Sequence, residues 1–509
     1  LSKVELPASG LSIGAIVAIL RDLLGNNETR IGGEITVERP TPLDIGTAKT
    51  SLLIRIDRQN TRYAKRFDAH DLDQQIKSAA SEILKRIDPY ILASYFHATE
   101  SWDEMEAMIN HILAKGDASD RKWALNLRGI RSRDLQQLDD AIRYYERAID
   151  LDKRFVISIV NIGMVRSAKG DRAGAIEMYA KALSIDPGYQ AALNNWGVLL
   201  HEAGDYAGAI SKFKQAIQID SKSVLARGNL SSTLAAMTDY EAADSEYQTA
   251  FELEPNNIYV LMGWGDVLYR LNRRKIAEAK FEQALEYTKD RGVVLSAWGN
   301  ALFNIRDYEG AIEHYEDALA SNLNHVPAHV GLGRIQLAKN DTNGALATCR
   351  RVMHANSRHA AARRFCGDVL GLRGSRDEAI EHFRSAASVD PGNWRALASL
   401  ASSFYAGREH ARGAEYYAKA VNIRPRDATL LNSWGEALYD AKDFPGAAEK
   451  FEKAVRMDPR YIEAHENWCS SLRARGDYEG AARKFQAMLA IARLEAVASA
   501  PEYVLVPSP

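Results

Sequence analysis

Few side chains in this sequence have the spacing that catalysis or metal binding requires. The sequence holds no GxxxxGK[ST] phosphate loop, no HExxH pair and no CxxC pair. His325 and His329 lie four residues apart, so two imidazoles would share one helix face, but no third ligand stands at a metal-binding spacing. These observations predict that the protein is not an enzyme and that it holds no cofactor and no metal.

Asparagine is the residue type whose spacing best fits a binding chemistry. Asn161, Asn195 and Asn229 follow one another at a constant interval. Each amide offers a donor and an acceptor, so a row of them would hold both sides of every peptide group in an extended segment. Alternatively, these amides bond only to neighbouring backbone, and the sequence leaves both interpretations open. The candidate set is Asn126, Asn161, Asn194, Asn195, Asn229, Asn432 and Asn467.

A second set of candidate binding residues is aromatic. Large rings recur at a matching spacing farther along the chain, with one methionine nearby. Such side chains would form apolar anchor points for a bound segment. The alternative, again left open, is that the rings pack against the adjacent helix. The set is Met262, Tyr269, Phe303, Tyr405 and Tyr439.

The elements that position these residues follow one repeating unit, whose cleanest copy runs from Ala428 to Tyr461. Counted from Ala428, Gly435 is at position 8, Ala447 at position 20 and Phe451 at position 24. Small residues at positions 8 and 20 let two antiparallel helices approach closely, and the aromatic ring fills the space between them. Pro459 at position 32 ends the second helix.

These columns recur in eleven consecutive units over 122–495, without insertion or deletion. Position 8 is mostly glycine, position 20 is alanine except at Gly413, and position 24 is tyrosine or phenylalanine except at Cys349. The pattern resembles the tetratricopeptide repeat, a pair of helices in a unit of about 34 residues. The resemblance implies an all-α fold, a right-handed superhelix or α-solenoid of eleven repeats. A degenerate twelfth repeat is predicted at 88–121.

The resemblance also implies where a ligand would bind. In this family, positions 2, 5, 6, 9, 12 and 13 of each first helix line the concave surface, and the candidate asparagines and aromatic residues occupy positions 5, 6 and 12. The asparagine row resembles the ladder in the tetratricopeptide domain of O-linked N-acetylglucosamine transferases. Inner-face charges are mixed, with Arg270, Arg334, Arg364 and Arg395 among acidic residues. The lysines that clamp a terminal carboxylate in some family members are missing from positions 2 and 5.

Two further columns are predicted to be structural. Aspartates recur at position 16, where they would cap the N-terminus of each second helix and would not serve as catalytic acids. Five tryptophans recur at position 7, where we expect core packing in preference to a binding stripe. The aspartates are Asp171, Asp205, Asp239, Asp307, Asp341, Asp443 and Asp477, and the tryptophans are Trp196, Trp264, Trp298, Trp434 and Trp468.

Residues 1–87 do not follow the repeat and are predicted to form a small α+β domain of order β-α-β-β-β-α. Its strands are expected at Lys3–Leu6, Ile31–Glu38, Ser51–Asp57 and Tyr63–Phe67. One helix would begin at Ser12 and another near Asp71. The block resembles the short module between a membrane anchor and a tetratricopeptide array in some bacterial proteins. A helix is expected to start at Pro89, and 496–509 is predicted as a C-terminal tail.

The composition of the sequence limits the classes of partner that the protein is expected to bind. With 65 Lys+Arg against 67 Asp+Glu the net charge is -2, which indicates neither a nucleic-acid nor an anionic-membrane partner. Cys349, Cys366 and Cys469 occupy core positions, so we interpret them as buried thiols, not as a disulfide or metal site. This cysteine usage favours the cytoplasm for a chain that is soluble as given. Because the sequence begins at Leu1, a cleaved leader or a missing segment is expected, which leaves a membrane anchor open.

Together these patterns predict a non-enzymatic scaffold or adaptor that binds a protein or an extended peptide segment in the concave groove. Nucleic acid and small-molecule substrates are not expected. The alternative is a structural or self-assembling component of a bacterial envelope-associated complex, with self-association through the N-terminal domain or the C-terminal end. A third reading, the targeting part of a larger glycosyltransferase, is disfavoured because few residues follow the array.

Overall fold

The computed structural model describes residues 29–38, 49–58, 61–69 and 89–498. The chain divides into two compact units, Leu1–Ser158 and Ile159–Pro509. The predicted boundary at residue 87 stays a prediction. The strand predicted at Lys3–Leu6, the helices predicted at Ser12 and near Asp71, and residues 499–509 of the tail lie outside the described residues.

The first unit contains a three-stranded antiparallel sheet in the order β1-β2-β3. Its strands are β1 (Thr29–Glu38), β2 (Lys49–Arg58) and β3 (Thr61–Ala69), and they include the three segments with strand-like alternation. In the register, Ile31 is opposite Ile56. Because the helices expected around this sheet lie outside the described residues, the α+β domain itself stays a prediction.

The described part of the chain from residue 89 onward is helical. Helix α1 begins at Pro89, as expected for proline in the first turn. The helices are α1 (Pro89–Ala98), α2 (Trp102–Lys115), α3 (Ala118–Asp134), α4 (Leu138–Leu151), α5 (Val156–Ala168), α6 (Arg172–Ile185), α7 (Gln190–Glu202), α8 (Tyr206–Ile219), α9 (Val224–Ala236), α10 (Tyr240–Leu253), α11 (Ile258–Arg270), α12 (Arg274–Tyr287), α13 (Arg291–Asn304), α14 (Tyr308–Ser321), α15 (Val326–Ala338), α16 (Thr342–Ala355), α17 (Ala360–Leu372), α18 (Arg376–Val389), α19 (Trp394–Ala406), α20 (His410–Ile423), α21 (Ala428–Asp440), α22 (Phe444–Met457), α23 (Ile462–Ala474) and α24 (Tyr478–Ala498).

The helices keep the register of the repeat. We number the units 1 to 11 from residue 122. From repeat 2 onward, each first helix occupies positions 1–13 and each second helix begins at position 17. Two small departures occur, since α13 begins one residue early and α24 runs on to Ala498. Residues 88–121, predicted as a degenerate repeat, also hold a helix pair, α1 and α2.

Within a repeat, the ring at position 24 packs on the glycine at position 8. A Cβ atom at Gly197 would lie 2.5 Å from the Phe213 ring, closer than real contacts allow. The same geometry holds at Gly129, Gly163, Gly265, Gly299, Gly367 and Gly435, at 2.5–2.7 Å from the ring. Repeat 7 has Cys349 in place of the ring, and there Phe365 of the next repeat occupies the space beside Gly333.

The aspartate caps predicted from the sequence are confirmed, and core packing at position 7 is confirmed for three of the five tryptophans. Every position-16 aspartate accepts a backbone N–H at the start of its second helix, at 2.8–3.3 Å. Trp264, Trp298 and Trp468 are buried, whereas Trp196 and Trp434 are half-buried. The sequence did not indicate that a basic residue at position 23 covers the position-7 ring. The pairs are Lys212 on Trp196, Lys280 on Trp264, His314 on Trp298, Lys450 on Trp434 and Lys484 on Trp468.

The interpretation of all three cysteines as free thiols is wrong. Cys349 and Cys366 form a disulfide, with their Cα atoms 5.2 Å apart. Cys349 is at position 24 of repeat 7 and Cys366 at position 7 of repeat 8, positions that meet where one repeat stacks on the next. Their separation of 17 residues matches no familiar cysteine motif, so spacing alone did not reveal the bond. Cys469 remains a free, half-buried thiol.

Two distant stretches of the second unit also touch. Arg426 forms an ion pair with Asp205 at 2.8 Å, and Arg424 donates to the Tyr206 hydroxyl at 3.1 Å. Arg172 donates to the backbone carbonyl of Ile423. Repeats 2 and 3 therefore contact the end of repeat 9, a contact that we call the repeat 3–9 contact.

The glycine–ring packing generates a matched pair of substitutions. Gly197→Ala should lower the free energy of unfolding by about 1–3 kcal/mol, because its Cβ has no room beside Phe213. Gly228→Ala, inside α9 with no atom within 4 Å of its Cβ, should raise it by about 0.5–1 kcal/mol through helix propensity. Urea unfolding followed by circular dichroism measures both. Equal effects of the two substitutions would contradict the packing argument.

The disulfide generates a second prediction. Reduction should lower the free energy of unfolding by about 3 kcal/mol, because a short loop is no longer closed in the unfolded chain. Urea midpoints of oxidised and reduced wild-type protein test this without any change of side chain. The Cys469→Ala variant is the control and should show the same difference. Alkylation of the denatured, unreduced protein should label one cysteine, and labelling of all three would show that the bond is not formed.

Candidate peptide-binding groove

Inner-face positions of repeats 3, 4 and 5 line an open-sided cavity of about 450 Å³. First helices α7, α9 and α11 supply most of its lining, from positions 6, 9, 12 and 13, which are among those expected to face a ligand. The second helix α10 closes one side with two tyrosines. The lining residues are His201, Ser232, Ala235, Ala236, Thr238, Tyr240, Tyr247, Gly263, Asp266, Val267 and Arg270.

The floor of the cavity owes its shape to Gly263. A Cβ there would lie 2.3 Å from the Tyr247 hydroxyl, so only glycine leaves this hydroxyl room. Tyr247 is buried, and its hydroxyl lies 2.8 Å from Ser232 Oγ. Burial raises the pKa of the Tyr247 phenol to about 12, so it stays neutral and acts as a hydrogen-bonding group.

The rim of the cavity carries charge. Arg270 lies 3.9 Å from Asp266 and donates to the Tyr240 hydroxyl at 3.4 Å. His201 is hydrogen-bonded through Nδ1 to Thr233 at 3.0 Å. Burial, and secondarily the charge of Arg424, lowers the pKa of the His201 imidazole, which favours its neutral form. The cavity thus combines hydroxyl groups and a few apolar side chains with both signs of charge at its edge.

Several candidate asparagines bond to one another across repeat boundaries. Asn229 donates to Asn194 at 2.9 Å, and Asn467 donates to Asn432 at 3.1 Å. In each pair a position-5 amide accepts from the position-6 amide of the next repeat. Asn194 and Asn432 are buried. These four amides therefore link neighbouring repeats, an arrangement closer to the structural alternative than to an open ladder.

The remaining asparagines are placed differently. Asn126 is buried in the first unit and accepts from Ser158 Oγ at 3.0 Å. Asn161 and Asn195 are half-buried in the second unit. No hydrogen bond is found for the Asn195 amide among the described residues. Asn195 is therefore the asparagine of the set best placed to meet a ligand.

The second asparagine pair surrounds a carboxylate. Asn432 and Asn467 both donate to Glu436, at 2.8 and 3.0 Å. Burial, and then the nearby charge of Glu463, raises the pKa of the Glu436 carboxyl. With Asp440 and Glu466, this gives repeats 10 and 11 an acidic inner face.

The aromatic candidates divide into core and surface. Tyr269 is only 3% exposed and accepts from Trp298 Nε1 at 2.6 Å, so its ring packs in the core. Met262 is half-buried against the same core. Phe303, Tyr405 and Tyr439 keep part of their surface open. Phe303 stacks under the Arg334 guanidinium at 4.3 Å, and the Tyr405 hydroxyl donates to Asp440 at 2.5 Å.

Sequence reasoning missed most of the cavity lining, although one signal was available. Gly263 occupies position 6, where repeats 2, 3 and 4 have asparagine, and the loss of a side chain there opens the floor. Ser232 and His201 carried no signal, because serine and histidine at single positions are uninformative.

No metal-binding group of three or more ligands occurs among the described residues. The His325 imidazole is within hydrogen-bond distance of Ser296 Oγ, and that of His329 is within hydrogen-bond distance of the Leu323 carbonyl. Across the part of the chain that the structure describes, no helix is both long and apolar enough to cross a bilayer.

A double-mutant cycle tests the hydrogen bond between Asn194 and Asn229. Asn194→Ala and Asn229→Ala should each lower the free energy of unfolding, with a coupling of about 1 kcal/mol because each change alone leaves one amide unpaired. Asn195→Ala, one residue away on the same helix, should change it by less than about 0.5 kcal/mol. Thermal and urea unfolding measure the two single variants, the double variant Asn194→Ala/Asn229→Ala and the control Asn195→Ala. Strictly additive effects of the two single substitutions would mean that the two amides do not stabilise each other.

Comparison with known proteins identifies the repeat. Models of the tetratricopeptide repeat match residues 130–155, 160–224, 200–262, 306–368, 367–429 and 432–498, together more than half of the chain. These matches begin at residue 130, so they give no support to the resemblance expected for residues 1–87. No curated protein sequence matches the chain.

Two solved structures are similar to parts of the chain. The crystal structure of MamA covers 33% of this chain and 97% of its own, at 19% identity and a TM-score of 0.31. The yeast Tom70 structure covers 75% of this chain and 95% of its own, at 14% identity and a TM-score of 0.38. On the strength of the repeat models and the conserved helix register, this chain belongs to the tetratricopeptide-repeat family.

Proposed function

We propose that this protein is a non-enzymatic interaction scaffold that binds an extended segment of a partner protein along the inner face of its second unit. The observation that carries the proposal is the cavity between repeats 3, 4 and 5, which is built from inner-face positions. Its lining offers apolar side chains at Ala235, Ala236 and Val267, two tyrosine hydroxyls and a charged rim. Such a mixture suits a peptide, whose backbone needs hydrogen bonds and whose side chains need pockets.

Tetratricopeptide repeats are found in interaction scaffolds, and the inner face described here has the features of one. Phe303, Tyr405 and Tyr439 stay partly open along it, and Asn195 is half-buried at position 6 of repeat 3. These residues extend the proposed contact surface beyond the cavity itself. An extended segment spanning several repeats would gain from many modest contacts, none of which requires a catalytic group.

A cavity-filling variant tests this proposal. Ala236 is an exposed cavity residue on α9, so Ala236→Trp should block the cavity without disturbing the core. Segments selected on the wild-type protein from a displayed library of random peptides should bind the variant at least about tenfold more weakly, since the new ring occupies their site. Fluorescence anisotropy with synthetic copies of the selected segments measures the change.

The matched control is Ala320→Trp, which adds the same ring at an exposed position of α14, away from the cavity lining. It should leave the affinities within about twofold of wild type. If the library yields no segment, or if every segment binds Ala236→Trp and wild type equally, the inner face is not the binding surface.

One observation favours a second candidate, a structural component of a bacterial envelope-associated complex. The Cys349–Cys366 disulfide is typical of proteins in oxidising compartments, whereas the cytoplasm keeps such thiols reduced. Alkylation of the protein as it leaves its source cells tests this candidate. Three labelled cysteines would argue for a reducing compartment and against an extracytoplasmic role.

A further inference from the structure

A row of arginines crosses the inner face of repeats 7, 8 and 9. Arg334, Arg364 and Arg395 occupy positions 9, 5 and 2 of these repeats, so they form a diagonal across three consecutive first helices, α15, α17 and α19. Arg424, from the repeat 3–9 contact, carries a fourth guanidinium near Arg395. We call these four residues the arginine row.

Two members of the arginine row have internal partners and two do not. Arg364 pairs with Asp368 at 2.7 Å, and Arg424 lies 3.6 Å from Asp427. Among the described residues, no carboxylate lies within ion-pair distance of Arg334 or Arg395. Their guanidinium groups instead stack on aromatic rings, Arg334 on Phe303 and Arg395 on Trp394 at 4.5 Å. The rings fix both guanidinium groups while their N–H donors remain free of carboxylates.

Both unpaired arginines are exposed, so a ligand can reach them. Partial desolvation of the guanidinium, and then the positive charges of Arg364, Arg424 and Arg334, lowers the pKa of Arg395. The cluster therefore repels itself, and an anion placed between Arg334 and Arg395 would relieve that repulsion.

The surroundings of the arginine row favour a protein ligand over a nucleic acid. A nucleic acid needs a continuous basic track, because its backbone carries one charge per nucleotide. Here Asp368 lies within the row, and the inner face of repeats 10 and 11 presents Glu436, Asp440, Glu463 and Glu466. A long polyanion would be repelled there, whereas a short acidic stretch would fit repeats 7 to 9.

We propose that the arginine row binds an acidic stretch, rich in aspartate and glutamate, within the extended segment that a partner protein lays along the inner face. Arg334 and Arg395 bind its carboxylates through forked, charge-assisted hydrogen bonds. This inference rests on the proposed function, because it assigns the chemistry of the segment to one part of the same surface. The acidic face of repeats 10 and 11 limits the acidic stretch to the arginine row.

The test uses two synthetic, fluorescein-labelled peptides in which glutamate alternates with serine, or glutamine replaces every glutamate. The full chain should bind the glutamate peptide at least about tenfold more tightly at low salt, and the difference should shrink as salt is raised. The double variant Arg334→Gln/Arg395→Gln should abolish most of this preference. Arg334→Lys/Arg395→Lys should keep part of it, because charge remains but the forked geometry is lost.

The control removes two arginines from exposed positions on second helices. Arg384→Gln/Arg456→Gln changes the net charge equally, and each residue there pairs only within its own helix. It should bind the glutamate peptide within about twofold of wild type. Circular dichroism melts should be unchanged in all variants, since the substituted side chains are exposed.

The outcomes separate this inference from the proposed function. Equal binding of the two peptides, or an equal loss in the control variant, overturns the arginine row as an acidic-segment site. Displacement of the peptide by an oligothymidylate of the same length at similar concentration would reassign the row to nucleic acid and overturn it as well. If library-selected segments still depend on Ala236, the scaffold proposal stands while the arginine inference fails. If they do not, the scaffold proposal itself fails.

Discussion

The close approach of a glycine to an aromatic ring is the constraint on which this architecture depends. The missing side chain at position 8 lets the position-24 ring lie against the first helix, and the alanine at position 20 leaves the two backbones near each other. Because this glycine–ring contact joins the two helices of a repeat, each repeat sets the direction of its own first helix. Position 7 then packs inward under its basic neighbour at position 23, and positions 9, 12 and 13 turn to the inner face. The direction of the cavity-lining helices is therefore a consequence of the glycine–ring packing, while the opening of the cavity floor depends on Gly263.

Features that repeat at a fixed interval within a unit could be predicted from the sequence. The aspartate caps and the glycine–ring contact follow from residues in one helix pair, so their geometry is the same wherever the pattern occurs. The position-7 tryptophans are buried in three of the five repeats that carry them. The interval between Asn194 and Asn229 also belongs to the pattern, but the sequence could not decide whether the two amides face a ligand or each other. Their short contact shows that stacking of consecutive repeats brings position 5 against the following position 6.

Contacts that depend on how repeats stack could not be predicted from the sequence. The Cys349–Cys366 bond joins two positions that meet only at a repeat boundary, and a separation of 17 residues resembles no cysteine motif. The repeat 3–9 contact joins residues more than 200 positions apart, which depends on the accumulated rotation of many units. The cavity opened by Gly263 depends on one departure from the repeat pattern. The disulfide and the cavity arise where a unit differs from its neighbours, and such differences give a repetitive array particular sites.

The disulfide has a consequence for how the array loses structure. In a chain of stacked repeats, each boundary is a place where fraying from an end can pause, because every unit is stabilised mainly by its nearest neighbours. The covalent bond removes one such pausing point, between repeats 7 and 8. Those two repeats must melt together, so they form a cooperative block in the midst of an otherwise divisible array. This block carries Arg334 and Arg364, two of the four members of the arginine row, so the repeats that hold them stay joined even when the ends of the chain fray.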